Sequence, residues 1–187
     1  ISVMRAMPNV ITVSLADEQT ARALPGFAAS TAKPKYFRLD GKGQTGLYTA
    51  PEQIDFTKGF CQLRQGERVC IVATGVMTHQ ALKVANRFDG EVGVVDCFLL
   101  DTADDDALAK TLSSYASVVT WEEGFTNRGG LDAYIALLIS QKGLACRHRG
   151  FGMPNTFDFT PGDRYRLHDA NGFGEDTMVE AISAVLA

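Results

Sequence analysis

Two acidic residues and two glycines stand close together in the chain, in a pattern that could do chemistry. Glu122 and Glu123 directly follow the apolar stretch 117–121, and Gly129 and Gly130 precede a run with helical periodicity. Paired carboxylates can act as general acid and base, and free backbone N–H groups at a helix start can bind an anion. We favour the structural alternatives: the glutamates cap loops or meet a partner subunit, and the glycines let the loop pack tightly against the sheet.

The histidines and cysteines offer no further catalytic or metal-binding pattern. The three histidines are spread over a predicted helix, a predicted strand and a loop, at His79, His148 and His168. None has a partner at the spacing of helical metal ligands. His79 lies in the first turn of its helix, where we expect it to be solvated or to contact a neighbouring domain. The four cysteines include no C-x-x-C pair, so we interpret them as buried thiols in a reducing compartment.

The composition is that of a globular protein. The chain has 187 residues, of which 45% are hydrophobic and 21% charged, and this suits one domain, or one domain with a piece of another. Its net charge of -4 argues against a nucleic-acid surface, which needs clustered lysine and arginine. The sequence contains no apolar run of the ~18–20 residues that a membrane helix needs, and no signal peptide is visible. We therefore expect a cytoplasmic protein without a nucleic-acid or membrane partner.

The first 40 residues predict a strand–helix–strand fragment. Residues 9–14 and 35–39 are typical of short strands, and residues 18–29 of a helix capped by Asp17. Pro25 lies inside that helix, where we expect it to kink or split the helix. Two strands cannot make an independent core, so this part indicates a fragment of a larger domain. The turn-rich sequence after residue 40 predicts a loop that enters a linker.

The sequence after about residue 57 has a regular pattern. Residues 60–63 and 69–73 flank a glycine-containing loop, which predicts a hairpin and one antiparallel edge strand. Further strands are expected at 92–97, at 118–121 and, at an edge, over 145–150. Helices are expected over 78–88, 104–115, 131–141 and 175–186. Strands that alternate with helices predict an α/β fold, with a mostly parallel sheet covered by helices on both faces.

Several segments resemble the C-terminal part of transketolase-type, thiamine-diphosphate-dependent enzymes. The sequence V-V-T-W-E-E-G-F-T-N-R-G-G-L-D-A over 118–133 is similar to a signature of their C-terminal domain, and V-C-I-V-A-T-G over 69–75 resembles an earlier unit of it. Residues 4–17 resemble a segment late in their pyrimidine-binding domain, although Leu15 replaces its usual proline. Residues 35–39 resemble the strand that closes that domain.

The resemblance implies a domain order and the cofactors of the complete enzyme. It implies that residues 1–40 end the pyrimidine-binding domain, 41–58 form a linker, and 59–187 form the transketolase-type C-terminal domain. In this family the domains upstream bind thiamine diphosphate and Mg²⁺, through a G-D-G…N motif and a separate glutamate. Neither motif is found in the present sequence. We therefore expect thiamine diphosphate and Mg²⁺ in the complete enzyme, and neither cofactor binding nor activity in this chain alone.

The resemblance also implies a role for Arg38 at the substrate. In transketolases an arginine at the corresponding strand end contacts the sugar phosphate, and a guanidinium can hold a phosphate through two hydrogen bonds. Lys42 could assist as a point charge. The alternative is that Arg38 is a surface or interdomain arginine paired with an acid, and residues 39–42 depart from the transketolase pattern.

The function implied by the resemblance is transfer of a two-carbon ketol unit between sugar phosphates. This chain would be the C-terminal portion or a subunit, serving as scaffold and as a dimer and interdomain surface. Its partners would be the upstream thiamine-binding domains, in the same or a companion chain, and a second copy in a homodimer. Within the superfamily, 1-deoxyxylulose-5-phosphate synthase and the β subunit of 2-oxoacid dehydrogenases are alternatives. A non-catalytic dimerisation or regulatory module is the alternative from another class.

Overall fold

The computed structural model describes residues 1–44 and 46–187, and in that part of the chain it forms a two-stranded and a five-stranded sheet. The helices and strands, in chain order, are α1 (Ser2–Arg5), β1 (Ile11–Ser14), α2 (Glu18–Ser30), β2 (Lys35–Arg38), β3 (Phe60–Arg64), β4 (Val69–Ala73), α3 (Met77–Ala85), β5 (Val92–Cys97), α4 (Asp105–Leu112), β6 (Ser117–Phe125), α5 (Leu131–Lys142), β7 (Arg147–Met153), α6 (Arg164–Ala170) and α7 (Glu175–Leu186). The predicted linker 41–58 includes Thr45, which lies outside the described residues.

The small sheet consists of β1 and β2, which run parallel and are connected by helix α2. Asp17 caps this helix as expected, since its carboxylate accepts the backbone N–H of Thr20 while the Thr20 hydroxyl pairs with the Asp17 backbone. Of the two expected effects of Pro25, a kink or a split, the split does not occur, because α2 continues to Ser30. A proline costs a helix one intrahelical hydrogen bond. The part of α2 beyond Pro25 is held by packing, since Phe27 stacks on Phe56 with ring centroids 4.4 Å apart.

The five-stranded sheet has the order β3-β5-β4-β6-β7. Strand β3 is antiparallel to β5 and the other neighbours are parallel, so the predicted antiparallel edge strand is confirmed, as is β7 at the other edge. The predicted hairpin of β3 and β4 is wrong, because β5 lies between them. Gly66 shows why: a Cβ there would overlap the backbone of Val92 and Gly93, so this loop crosses the start of β5 instead of turning back.

Helices cover both faces of this sheet. Side chains alternate along each buried strand, so that Val69 and Ile71 of β4 face one core, with α3 and α7, while Cys70 and Val72 face the other, with α4 and α5. Cys70 and Cys97 are fully buried thiols within the second core. Within the described residues, no helix combines the length and the apolar character needed to cross a membrane.

The two sheets are joined through backbone and side-chain contacts. Strand β1 pairs with the segment that follows β5: Ser14 N–H donates to the Phe98 carbonyl, and Leu100 N–H to the Thr12 carbonyl, each at 3.0 Å. The ring nitrogen Nε2 of His79 lies 2.8 Å from the Ala16 carbonyl oxygen. Of the two expected environments of His79, solvent or a neighbouring unit, this contact with the N-terminal segment fits the second.

Candidate functional site

The carboxyl ends of strands from both sheets open onto one small cavity. Strand β1 ends there at Ser14 and β2 at Arg38, the turn after β4 contributes Gly75, and β6 contributes Glu123. Arg164, the first residue of α6, also lines the cavity, which has a volume of about 70 Å³. Ligands of α/β proteins bind at this end of the strands, so the cavity is the candidate site.

Arg38, the predicted phosphate-binding residue, lies in this cavity. Its Nη2 atom donates to Oε2 of Glu123 at 3.1 Å, and 33% of its side chain remains exposed. Within the described part of the chain, the Nε and Nη1 atoms of Arg38 have no hydrogen-bond partner. Arg38 is thus paired with an acid, as expected if it is a surface or interdomain arginine. It also keeps N–H donors that a ligand can use.

Glu123 binds two further basic side chains. Its Oε1 atom forms a salt bridge with Nε of Arg164 at 3.0 Å and lies 2.9 Å from Nε2 of His168. Burial alone would raise the pKa of this carboxyl, but the hydrogen bond from His168 and the charges of Arg164 and Arg38 bring the pKa below its usual value. Glu123 is therefore an ionised anchor in the wall of the cavity.

Asp40 completes a ring of charges. Nη1 and Nη2 of Arg164 bind the two oxygens of Asp40 at 2.6 and 3.0 Å, and this hydrogen bonding lowers the pKa of Asp40. Asp40 follows Arg38 by two residues, so the ring runs from Arg38 through Glu123 and Arg164 to Asp40. Within it Arg164 is engaged through Nη1, Nη2 and Nε, whereas Arg38 is engaged through Nη2 alone.

Helix α6, which supplies Arg164 and His168, was missed by sequence reasoning because it has only seven residues. A signal was present: Asp163 precedes it, and its side chain accepts the backbone N–H of Arg166 at 3.0 Å, as a helix-capping aspartate does. Strand β7 also extends beyond the edge strand predicted over 145–150, since it continues to Met153.

Lys42 lies outside the cavity. Its side chain is exposed, and its backbone N–H donates to Oδ1 of Asp40 at 3.0 Å. Lys42 lines a neighbouring groove together with Asp17 and Glu18. The structure thus separates the two residues that the sequence proposes for phosphate binding.

Glu122 serves helix α5 and does not face the cavity. The carboxylate is buried and accepts the backbone N–H of Asp132 at 3.1 Å, at the start of the helix. An ideal Cβ at Gly130 would overlap both carboxylate oxygens, and Gly129 has φ +85, a left-handed conformation that suits glycine. These contacts confirm the capping and tight-packing interpretations and explain why glycine stands at both positions.

Arg5 is a residue that sequence reasoning missed. Its Nη1 atom donates to the carbonyl oxygens of Gly129 and Gly130, the latter at 2.6 Å, and its guanidinium lies over the ring of Tyr134 at 5.5 Å. The partners are more than 120 positions apart, and no local pattern indicates such a pair. Arg5 fastens the N-terminal segment to the glycine loop before α5.

Asp96 is a second buried carboxyl group away from the cavity. The hydroxyl groups of Tyr48 and Thr78 each donate to it at 2.8 Å. Burial raises its pKa to about 7, although these two hydrogen bonds oppose the rise. Tyr48 N–H also donates to Asp17 at 3.0 Å, so the network connects β5, α3 and the cap of α2.

The described residues do not fit a Mg²⁺ site, because no group of three or more histidine, cysteine, aspartate and glutamate side chains among them is arranged to hold a metal ion. Hard cations need several oxygen ligands in one place.

The fold and the position of the cavity define an α/β domain with a mostly parallel sheet and a binding region at its strand ends. The family model of the transketolase C-terminal domain matches residues 61–178, and the chain belongs to this family.

Two curated relatives of the chain are 1-deoxy-D-xylulose-5-phosphate synthases. The 1-deoxy-D-xylulose-5-phosphate synthase of Anaeromyxobacter sp. is 29% identical over the whole chain, which corresponds to 30% of that protein. The synthase of Saccharophagus degradans is 28% identical, again over the whole chain and 28% of the relative. The chain thus spans less than a third of the length of these curated relatives.

Solved structures agree in fold. A split-gene transketolase, described as an inactive β4 tetramer, superimposes with a TM-score of 0.88 at 28% identity, over 99% of this chain and 60% of that one. The transketolase of Campylobacter jejuni superimposes with a TM-score of 0.75 at 20% identity, over 98% of this chain and 27% of that one, and shows the fold alone.

Proposed function

We propose that this chain is the C-terminal portion or a subunit of a transketolase-like transferase, in which Arg38 binds the phosphate of the substrate. The observation that carries this proposal is the position of Arg38, which lies at the strand ends with donors free for a ligand. The complete enzyme would move a two-carbon ketol unit from a ketose phosphate to an aldose phosphate. Thiamine diphosphate, held with Mg²⁺ by upstream domains, would supply the carbon–carbon bond chemistry.

The chain itself would act as a scaffold and an interdomain surface. The charged ring of Arg38, Glu123, Arg164 and Asp40 supports this role, since it fastens the end of β2 to β6 and α6. The split-gene neighbour supports a companion chain that carries the upstream domains, and its tetramer supports self-association. We propose a homodimeric arrangement on the same basis, and in addition a cytoplasmic location.

The synthase branch is the second candidate, and the curated relatives favour it. A 1-deoxyxylulose-5-phosphate synthase joins pyruvate to glyceraldehyde 3-phosphate, so its acceptor also carries a phosphate that Arg38 would bind. The two candidates differ in the donor, which is a ketose phosphate in one and a 2-oxoacid in the other. A phosphate site at Arg38 argues against the lipoyl-dependent dehydrogenase alternative.

The test is an assay of the complete enzyme, full-length or reconstituted with its companion chain, in the presence of thiamine diphosphate and Mg²⁺. Turnover of xylulose 5-phosphate with ribose 5-phosphate supports the transketolase branch, and turnover of pyruvate with glyceraldehyde 3-phosphate supports the synthase branch. Absence of both activities, together with no cofactor binding, would favour the non-catalytic module.

The role of Arg38 is tested with Arg38→Ala in the same assay. Because hydrogen bonds to charged groups are strong, we expect KM for the phosphorylated substrate to rise about 10- to 100-fold, with a smaller change in kcat. Arg22→Ala is the control, since Arg22 is exposed on α2. An unchanged KM in Arg38→Ala would reject the phosphate role.

A further inference from the structure

We infer that Glu123 is a positioning residue for phosphate recognition: it holds the Arg38 guanidinium in place and so sets the preference for phosphorylated over unphosphorylated substrates. This inference rests on the proposed function, because it requires Arg38 to bind the phosphate. Glu123 would not touch the substrate.

The geometry shows how one carboxylate can hold Arg38. Oε2 of Glu123 binds Arg38, while Oε1 binds Arg164 and His168 from helix α6. Contacts on both oxygens prevent the carboxylate from rotating, and its side chain is only 15% exposed. Glu123 is therefore a rigid support for a long and partly exposed arginine. An arginine held in advance loses less conformational entropy when a ligand binds.

Arg164 is a second support, and more of its guanidinium is engaged within the ring than that of Arg38. Its Nη1 and Nη2 atoms each donate one hydrogen bond to Asp40, and its Nε atom lies 3.0 Å from Oε1 of Glu123. Arg38 is bound to Glu123 through Nη2 alone. A phosphate that enters the cavity would thus find more free donors on Arg38 than on Arg164.

Two effects of Glu123 on phosphate binding oppose each other. Its negative charge weakens the attraction of the ring for an anion, whereas its hydrogen bond keeps Arg38 in position. In Glu123→Gln the amide has one oxygen for three donors, and its NH₂ group must face a basic side chain. We expect the loss of position to dominate, because charge effects at an open cavity are screened by solvent.

The test uses the complete enzyme and two acceptors that differ only in the phosphate: ribose 5-phosphate and ribose, or glyceraldehyde 3-phosphate and glyceraldehyde in the synthase branch. In Glu123→Gln we expect KM for the phosphorylated acceptor to rise about tenfold, which corresponds to loss of one charge-assisted hydrogen bond. KM for the unphosphorylated acceptor and kcat should stay within about twofold. Glu180→Gln is the control, because Glu180 is exposed on α7.

Glu123→Asp separates position from charge. Aspartate keeps the charge but is shorter by one methylene, so it cannot reach Arg38 and helix α6 together. A positioning role predicts that Glu123→Asp shows a raised KM like Glu123→Gln. A KM near that of the unmodified enzyme would show that only the charge matters and would overturn the inference. Glu123→Asp also provides a folded variant if Glu123→Gln does not fold.

The double variant with Arg38→Ala completes the test. The quantity compared is the ratio of KM for the phosphorylated acceptor to KM for the unphosphorylated acceptor. If Glu123 acts through Arg38, this ratio is the same in the double variant as in Arg38→Ala alone. In the double variant, a further rise of this ratio as large as the rise caused by Glu123→Gln alone would overturn the inference. In Glu123→Gln alone, an equal rise of both KM values, or a lower KM for the phosphorylated acceptor, would also overturn it. If Arg38→Ala alone leaves the ratio unchanged, the phosphate role of Arg38 fails. If Arg38→Ala changes this ratio and Glu123→Gln alone does not, the phosphate role of Arg38 stands and the positioning role of Glu123 is rejected.

Discussion

The carboxylate of Glu122 occupies the space that a Cβ atom would need at Gly130. An ideal Cβ there would lie 2.7 Å from Cδ of Glu122, and closer still to both oxygens. The same carboxylate accepts the N–H of Asp132 and caps α5. The glycine is therefore required by a close approach between a helix start and a buried side chain.

Substitution of this glycine should destabilise the fold. We expect Gly130→Ala to lower the free energy of unfolding by about 3 kcal/mol, since the new methyl group either strains the loop or displaces the cap. Trp121, the single tryptophan, is buried and reports unfolding by fluorescence in a denaturant titration.

Gly26→Ala is the matched control for this prediction. A Cβ at Gly26 would have no heavy atom within 4 Å, and the residue lies inside helix α2. We expect this change to be neutral or to stabilise by up to about 1 kcal/mol. Equal unfolding midpoints for the two variants would contradict the role given to Gly130.

The pH dependence of stability should reflect Asp96. Burial raises the pKa of its carboxyl to about 7 in the folded chain, whereas an unfolded aspartate loses its proton near pH 4. Between these values the folded state binds the additional proton. The free energy of unfolding should therefore fall as pH rises from about 4 to about 7, by at most ~1.4 kcal/mol per pH unit from this group.

Asp96→Asn should remove this contribution, because the amide does not titrate and the hydroxyl groups of Tyr48 and Thr78 can reorient. Urea unfolding at several pH values measures the slope. Asp106→Asn is the control: Lys142 lowers the pKa of Asp106, so its contribution is lost only below about pH 4. An identical slope in Asp96→Asn and the unmodified chain would refute the assignment.

The contact of Arg5 with the glycine loop should contribute to stability. We expect Arg5→Ala to lower the free energy of unfolding by about 1–3 kcal/mol, because the partly buried carbonyl groups of Gly129 and Gly130 lose the guanidinium, although Gly130 keeps the backbone N–H of Tyr134. Arg5→Lys should restore little, since an ammonium group lacks the planar fork of a guanidinium. Thermal unfolding measures both, and Arg128→Ala in the same loop is the control because Arg128 is exposed. A similar loss in the control would remove the case for Arg5.

Lys42 should contribute little to phosphate recognition. Its side chain is exposed and borders a groove with Asp17 and Glu18, outside the cavity of Arg38. We expect Lys42→Ala to change KM for a phosphorylated substrate by less than about twofold, as a screened surface charge does. Steady-state kinetics beside Arg38→Ala measure this. An effect as large as that of Arg38→Ala would place Lys42 at the phosphate.

Local patterns were enough to predict most elements of this chain. Apolar runs indicate the central strands, and the helical periodicity over 175–186 matches helix α7 at both ends. The order of strands was harder to predict: the loop between β3 and β4 has the composition of a hairpin turn, but β5 lies between these strands. The residue types of a turn determine how the chain bends locally, but they do not indicate whether another strand lies between the two strands that the turn connects.

The candidate site was predictable only in part, for the same reason. Arg38 was identified from the resemblance, but its partner Glu123 is 85 positions away. The short helix that brings Arg164 and His168 lacks a long apolar face, so periodicity does not indicate it. Such contacts depend on the tertiary packing of three elements, which a single sequence does not display.

The pairing of β1 with the segment after β5 has a consequence for how this polypeptide can be divided. A nick between Arg38 and Tyr48 would cut one covalent connection, while the hydrogen bonds of Ser14 and Leu100 would still hold the two pieces together. Through this pairing, β1 of the N-terminal piece is in direct backbone contact with the segment that follows β5 of the five-stranded sheet. We therefore expect two separately produced fragments, divided at this place, to associate without a peptide bond between them.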